Sequence, residues 1–260
     1  MTFPLPLTPF EEYMLRDGTP SHPMEFFFRL SFDGPLDRAA VDSAAATTFH
    51  RHPLLAARIA ERPGRRPRFE PASGGRIVDA VSGRDTAGLP PIPALDQETG
   101  QLARLLVVER PDGPAEILAQ FHHAACDGLG ALAFLGDFCM LLGATLGGAR
   151  PGGEAPDPHA LRRRGRYGLD CWKLLHSLPS QARGLEGVWK FMRHRPVGLG
   201  PANAASDTPR AHVLQRAEVA FTEAEARNLR RSAQAADVSL NELAAAALLE
   251  ALSETVPRGA

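Results

Sequence analysis

The sequence predicts an α/β protein in which strands and helices alternate along the chain. The aromatic segment 24–32 precedes the turn Asp33-Gly34-Pro35 and is typical of a β-strand. The segment 115–123 follows a second turn rich in Pro and Gly, and its apolar residues also indicate a strand. Helical periodicity follows each of these strands. We therefore expect a strand-turn-helix unit at both positions.

Shorter signals predict the other elements of the first half. Apolar side chains recur at helical spacing from residue 36 to 50, and Pro53 ends that pattern. Short strands are expected at 76–81 and 102–109, and a later one at 212–221.

A helix is predicted from Gly128 to about Leu142, with Asp127 as its N-cap, because apolar residues step by three or four along it. The apolar stretch 129–148 has about the length of a membrane span, but Asp137 and five glycines interrupt it. We expect a buried core helix, with a membrane-associated helix as the alternative.

Two capping boxes predict helices near the end of the sequence, Thr222 with Glu225 and Ser239 with Glu242. The second box precedes the segment 243–252, which is apolar on nearly all sides and is expected to be buried. Because the sequence offers too few partners for such a helix, we expect self-association, a separate partner lobe or poor solubility.

Charge and cysteine content exclude several classes of function. The 29 basic and 30 acidic residues give a net charge of -1, so nucleic acid is not an expected partner. The cysteines Cys126, Cys139 and Cys171 are odd in number and widely spaced, which argues against a disulfide framework or zinc ribbon. The N-terminal segment has no basic, apolar secretion signal. A cytoplasmic location without a membrane partner is expected.

The basic run 162–166 follows a segment rich in Gly, Ala and Pro, which is typical of a loop. A solvated charge run is the expected state. Contact with a phosphate of RNA, coenzyme A or a carrier-protein arm is the alternative.

One constellation suggests chemistry: His122 and His123 are followed, after three residues, by Asp127 and Gly128. A histidine, with a usual pKa of about 6.5, can accept a proton from a hydroxyl or amine near neutral pH. His123 shares a strand face with Phe121 and is the candidate general base, whereas His122 points to the opposite face. Asp127 could cap the helix or pair with an arginine. Gly128 allows close backbone approach, and its N–H could stabilise developing negative charge.

The same residues allow three other interpretations. A histidine pair can be purely structural. A metal site would recruit His122, His123, Cys126 and Asp127, but adjacent strand residues face opposite sides, so no metal is predicted. Cys126 could act as a nucleophile, yet no third orienting group is evident.

The residues 122–128 match the pattern HHxxxDG, which resembles the signature of the condensation-domain superfamily. That superfamily includes nonribosomal-peptide condensation domains, chloramphenicol acetyltransferase-like enzymes and wax ester synthases. Four further segments resemble family segments in the same order: Leu7-Thr8-Pro9-Phe10-Glu11, Arg51-His52-Pro53-Leu54-Leu55, Gly100-Gln101-Leu102-Ala103-Arg104 and Val238-Ser239-Leu240-Asn241-Glu242.

The resemblance implies a chloramphenicol acetyltransferase-like lobe, a mixed sheet flanked by helices, with an incomplete second lobe. Residues 1–160 would form the first lobe, 161–210 a crossover or linker, and 211–260 the start of the second. The implied activity is transfer of an acyl group from a thioester to an amine or hydroxyl, with His123 as base and His122 in support. No cofactor would be bound permanently, since coenzyme A or the phosphopantetheine of a carrier protein would bring the donor.

The chain also departs from the family pattern. Ala56 stands where the family has an arginine after RHPxL, and the nearest arginine is Arg58, so the partner of Asp127 is open. Family members are longer and hold a tunnel between two lobes, so little activity is expected of one lobe alone.

Two alternative functions stay open. The segment Thr19-Pro20-Ser21-His22-Pro23-Met24 resembles wax ester synthase and diacylglycerol acyltransferase relatives, which implies an alcohol or glyceride acceptor. A truncated, non-catalytic binding module is the other.

Overall fold

The structure is a computed structural model in two compact units, residues 1–172 with 207–214, and residues 173–206 with 215–260. The predicted boundaries at residues 160 and 210 stay predictions. The structure describes residues 3–19, 23–72, 77–82, 92–98, 100–109, 115–148, 160–166, 176–177, 184–187, 189–190, 193 and 219–255.

The first unit contains seven described strands, three α-helices and one 3₁₀ helix. In chain order these are β1 (Leu5–Pro6), α1 (Pro9–Arg16), β2 (Glu25–Phe32), α2 (Arg38–Arg51), β3 (Ala57–Arg62), β4 (Arg65–Pro71), β5 (Val78–Ser82), β6 (Ala103–Glu109), β7 (Ala115–His122), α3 (Gly128–Thr145) and the 3₁₀ helix Ala160–Arg166. The second unit contains α4 (Glu223–Ala235) and α5 (Leu240–Thr255). The predicted fold class, a mixed sheet flanked by helices, is confirmed.

The larger sheet has the order β2-β7-β6-β5, with β5 and β6 parallel and the other pairs antiparallel. Side chains alternate along β7, so Ile117 and Phe121 lie in the core that contains α2 and α3, and Leu118 packs with Ile92 on the opposite side. Both faces are therefore covered. For this reason residues 116–122 are all buried.

α3 packs against α2 and the sheet through one face only. The Phe134 ring makes edge-to-face contacts with Phe49 at 4.9 Å and Phe121 at 5.5 Å between centroids. The opposite face leaves Leu129 and Leu132 76% and 52% exposed. The expected burial is thus confirmed for one face of α3 only. The sequence could not predict which face, because this helix is apolar on nearly all sides. Of the described helices, α3 alone is long and apolar enough to cross a membrane.

The smaller sheet, β1-β4-β3, was not predicted from the sequence. Ile59 of β3 pairs with Phe69 of β4, and both side chains are buried. Gly64 has φ +69° in the turn that joins the strands, a conformation that favours glycine. Three arginines, two prolines and a glutamate fill the other positions of β4, so its apolar alternation is too short to detect.

The 3₁₀ helix contacts α1 through Arg164; Arg162 and Arg163 are exposed, as expected of a solvated basic run, but Arg164 is not. Arg164 donates to both carboxylate oxygens of Glu11, at 2.7 and 3.1 Å, and its guanidinium lies 5.4 Å from the Phe69 ring centre. Its side chain is only 15% exposed. A Cβ on Gly165 would lie 2.8 Å from the Thr8 methyl group, so this close approach requires glycine.

The second unit confirms both predicted caps but corrects the expected burial. Thr222 and Glu225 form a capping box, and Glu242 accepts a hydrogen bond from Ser239 N at 2.6 Å. α5 was expected to be buried, yet Leu248 and Leu249 are 61% and 68% exposed. The described part of the second unit offers too little surface to cover a helix that is apolar on every side. Residues 212–218 of the predicted last strand lie outside the described residues.

Candidate active site

The candidate site begins where β7 ends. His122 N donates to Leu102 O and His123 N donates to Met24 O, both at 2.9 Å, so neighbouring segments hold this strand end on both sides. Ala125 N then donates to His122 O at 2.9 Å and closes a tight turn. The position of His123 is therefore fixed by backbone hydrogen bonds.

The His123 ring lies against an aromatic wall and is half-buried. Its centroid is 4.4 Å from that of Phe26, which in turn stacks on Phe121 at 5.5 Å. Within the described part of the chain, no group hydrogen-bonds to either ring nitrogen. A molecule bound beside the turn could reach this imidazole.

His122 occupies a different environment, since it is 5% exposed and lies opposite Glu25 in the β2–β7 register. Its Nδ1 accepts a hydrogen bond from Ala124 N at 3.1 Å, so the neutral ring carries its proton on Nε2. Burial lowers the pKa of His122; the negative charge of Glu25 opposes this shift, and His123 adds to it. The neutral ring thus fastens the turn that carries His123.

This arrangement predicts a loss of stability in mild acid. The unfolded chain binds a proton at His122 near the usual pKa of about 6.5, whereas the folded state resists it, so the free energy of unfolding should fall as pH drops below that value. His122→Asn keeps a hydrogen-bond acceptor but does not titrate. Urea denaturation between pH 7 and 5 should show a shallower pH dependence for this variant.

The matched control is His50→Asn, because His50 is exposed. The stability of His122→Asn should depend less steeply on pH than that of this control. Identical slopes for wild type and His122→Asn would contradict the prediction.

A polar network that sequence reasoning missed supports this strand end from the face opposite Phe121. Gln120 Nε2 donates to Glu25, and Arg104 Nε donates to Gln120 Oε1 at 2.8 Å. Glu25 also accepts from Leu95 N at 2.8 Å. The detectable signal was Gln120, a polar residue within an apolar strand; its partners lie on other strands and could not be identified.

Asp127 is the N-cap of α3, as predicted, and its Oδ1 accepts from Gly130 N at 2.8 Å. No arginine pairs with it in the described residues, and Arg58 is bound to Glu70 at 2.7 Å instead. A Cβ on Gly128 would meet nothing within 4 Å. The packing glycine is Gly130, where an added Cβ would lie 3.1 Å from the Cβ of Cys126.

We expect Asp127→Ala to lower the free energy of unfolding by about 0.5–2 kcal/mol, the usual value of an N-cap, with no further loss from an ion pair. Asp127→Asn should retain most of the stability, because an amide oxygen can also cap. Chemical denaturation checks both. An Asp127→Ala protein that is as stable as wild type would show that the cap contributes nothing.

The alternative roles of Cys126 find little support in its surroundings. Burial, together with the nearby charge of Asp127, raises the pKa of the Cys126 thiol to about 12. The thiol is therefore protonated near neutral pH and is a poor nucleophile. Within the described residues, no group of three or more His, Cys, Asp or Glu side chains could hold a metal ion.

Arg51 and His52, which lie in a segment that resembles a family segment, contact α3 rather than the candidate base. Asp137 Oδ2 lies 3.1 Å from Arg51 Nε and 2.9 Å from His52 Nε2. All three side chains are about 15% exposed or less. Asp137, the charged residue within the apolar stretch, is therefore a buried link between α2 and α3.

Solved structures similar to this chain include a condensation domain and an epimerization domain of synthetases. The first condensation domain of the calcium-dependent antibiotic synthetase, in complex with substrate analogue 2a, is similar over 100% of this chain and 61% of its own, with 16% identity and a TM-score of 0.62. The SgcC5 protein from Streptomyces globisporus is similar over 90% of this chain and 56% of its own, with 17% identity and a TM-score of 0.56.

The epimerization domain from the third module of tyrocidine synthetase B is similar over 76% of this chain and 45% of its own, with 16% identity and a TM-score of 0.54. This chain thus spans between 45% and 61% of the length of these neighbours. No protein-family model and no curated protein matches the sequence. The chain has the fold of nonribosomal-peptide condensation domains.

Proposed function

We propose that this chain takes part in acyl transfer from a thioester to an amine or hydroxyl, with His123 as the general base. One observation carries the proposal: a half-buried imidazole stands at the fixed end of β7, against Phe26, in a condensation-domain fold. The donor would be coenzyme A or the phosphopantetheine arm of a carrier protein. The likeness in fold supports this donor class but not an individual donor.

The proposed reaction needs one proton acceptor at the attacking atom. The nitrogen or oxygen of the acceptor attacks the thioester carbonyl carbon, and His123 takes the proton that this atom loses. The new C–N or C–O bond forms, the C–S bond breaks, and the imidazolium returns its proton to the thiolate. His122 would serve by holding the turn, since its Nδ1 is already occupied by Ala124 N–H.

A hydroxyl acceptor is the second candidate. The segment that resembles wax ester synthase relatives ends at Met24, whose carbonyl accepts the His123 N–H at 2.9 Å. Met24 therefore lies beside the proposed base, whereas residues 20–22 of the segment lie outside the described residues. An amine and an alcohol must be tested side by side.

The test is to incubate the purified chain with acyl thioesters of coenzyme A and of N-acetylcysteamine, and with one primary amine and one alcohol of equal chain length. We expect an acylated product by mass spectrometry and one thiol released per product. Boiled protein gives the background. Thioester loss without product would indicate hydrolysis, and no product from any pair would contradict the proposal.

A further inference from the structure

A cavity of about 900 Å³ lies behind the turn that carries His123. Ala125 and Cys126 of that turn form one wall, and Phe49, Leu55 and Ile77 contribute apolar surface on other sides. Its volume lies within the range of about 300–1,000 Å³ that is typical of small-molecule sites. His123 is not among the lining residues, so this cavity differs from the surface on which the proposed base acts.

The lining residues set the chemistry that the cavity can accept. No Asp or Glu lies among the described residues that line it, and the basic side chains are His50, Arg51 and His52. The charge of Arg51 is already matched by Asp137 at 3.1 Å. The cavity therefore offers mainly apolar surface, which suits the hydrocarbon chain of a ligand better than a charged group.

Ala56 gives the cavity part of its space. It lines the cavity at the position where the resembling family has an arginine, and a longer side chain there would enter the cavity. Ala46, on α2, lines it from another side and is exposed. Small side chains on α2 and in the turn before β3 therefore leave this space open.

We propose that this cavity binds the hydrocarbon chain of an acyl thioester, with Ala56 and Ala46 as the residues that set its size. The inference rests on the proposed function, since it names the part of the chain that would select the donor. Binding of the acyl chain needs no general base. Binding of the acyl chain can therefore be measured in His123→Ala protein, in which we expect acyl transfer to be slow.

The experiment uses decanoyl-N-acetylcysteamine, with decanoate and N-acetylcysteamine as separate probes, and calorimetry on the whole chain. We expect saturable binding of the decanoyl thioester, weaker binding of decanoate and none of N-acetylcysteamine. Ala56→Leu and Ala46→Leu should each weaken thioester binding about tenfold, the loss expected when about two methylene groups leave an apolar site. Because Ala46 is exposed, its variant should fold even if Ala56→Leu does not.

Ala133→Leu is the matched control, because Ala133 lies on the exposed face of α3 and outside the cavity. It should bind the decanoyl thioester as wild type does. Equal binding by all variants, or weakening by Ala133→Leu alone, would overturn the proposal.

The two proposals fail in different ways. Thioester binding that depends on Ala56 and Ala46 without any acylated product would support the cavity and contradict acyl transfer. If acylated product forms but neither alanine variant changes thioester binding, acyl transfer is supported and the role of the cavity is contradicted.

Discussion

His123→Ala should lower the rate of acyl transfer about 10²–10⁴-fold, the usual contribution of a general base. The expected loss follows from the position of the ring, which lies 4.4 Å from Phe26 at the end of a strand that backbone hydrogen bonds fix. The substituted side chain is half-buried and makes no hydrogen bond to a described residue. The fold should therefore survive. The measurement is product formation at saturating thioester and acceptor.

His122→Asn is the control for this experiment, because the two histidines are adjacent but differ in role. The variant keeps an acceptor for Ala124 N–H and should retain most of the rate. Circular dichroism of both variants should match wild type. Equal, small losses in both would mean that His123 is not the base.

The strands and helices that the sequence predicted correctly are those whose signals are local. The aromatic pattern of β2, the capping side chain of Asp127 and the capping box at Thr222 each lie within a few residues of the structure they specify. The β3–β4 hairpin was missed because its apolar pair, Ile59 and Phe69, is surrounded by charged residues. Its stability comes from packing against other elements, which a local pattern does not show.

The sequence indicated His123 and Asp127 as residues of the candidate site, but it did not indicate the contacts that hold the surrounding elements in place. The opposite orientations of His122 and His123 follow from strand geometry, and the structure places the rings accordingly. The role of Asp137 could not be deduced, because its partners are about 85 residues away in the sequence. The cavity behind the turn likewise arises from the tertiary arrangement of small residues.

Asp137→Ala should lower the free energy of unfolding by about 1.5–3 kcal/mol, the usual range for losing a hydrogen bond to a charged group. The carboxylate is 14% exposed and contacts Arg51 at 3.1 Å and His52 at 2.9 Å. Its removal would leave the Arg51 charge buried without this partner at the junction of α2 and α3. Urea denaturation followed by circular dichroism measures the change.

Asp42→Ala is the matched control, since Asp42 pairs with Arg38 at 3.0 Å on the surface of α2, with side chains 51% and 43% exposed. Water screens that pair, so its loss should cost only about 0.3–0.5 kcal/mol. The double variant Arg51→Met with Asp137→Leu removes both charges and should recover much of the stability that Asp137→Ala loses, because an apolar pair needs no compensating charge. If Asp137→Ala were no less stable than Asp42→Ala, the link between α2 and α3 would depend on the contacts of Phe49 and Phe134 alone.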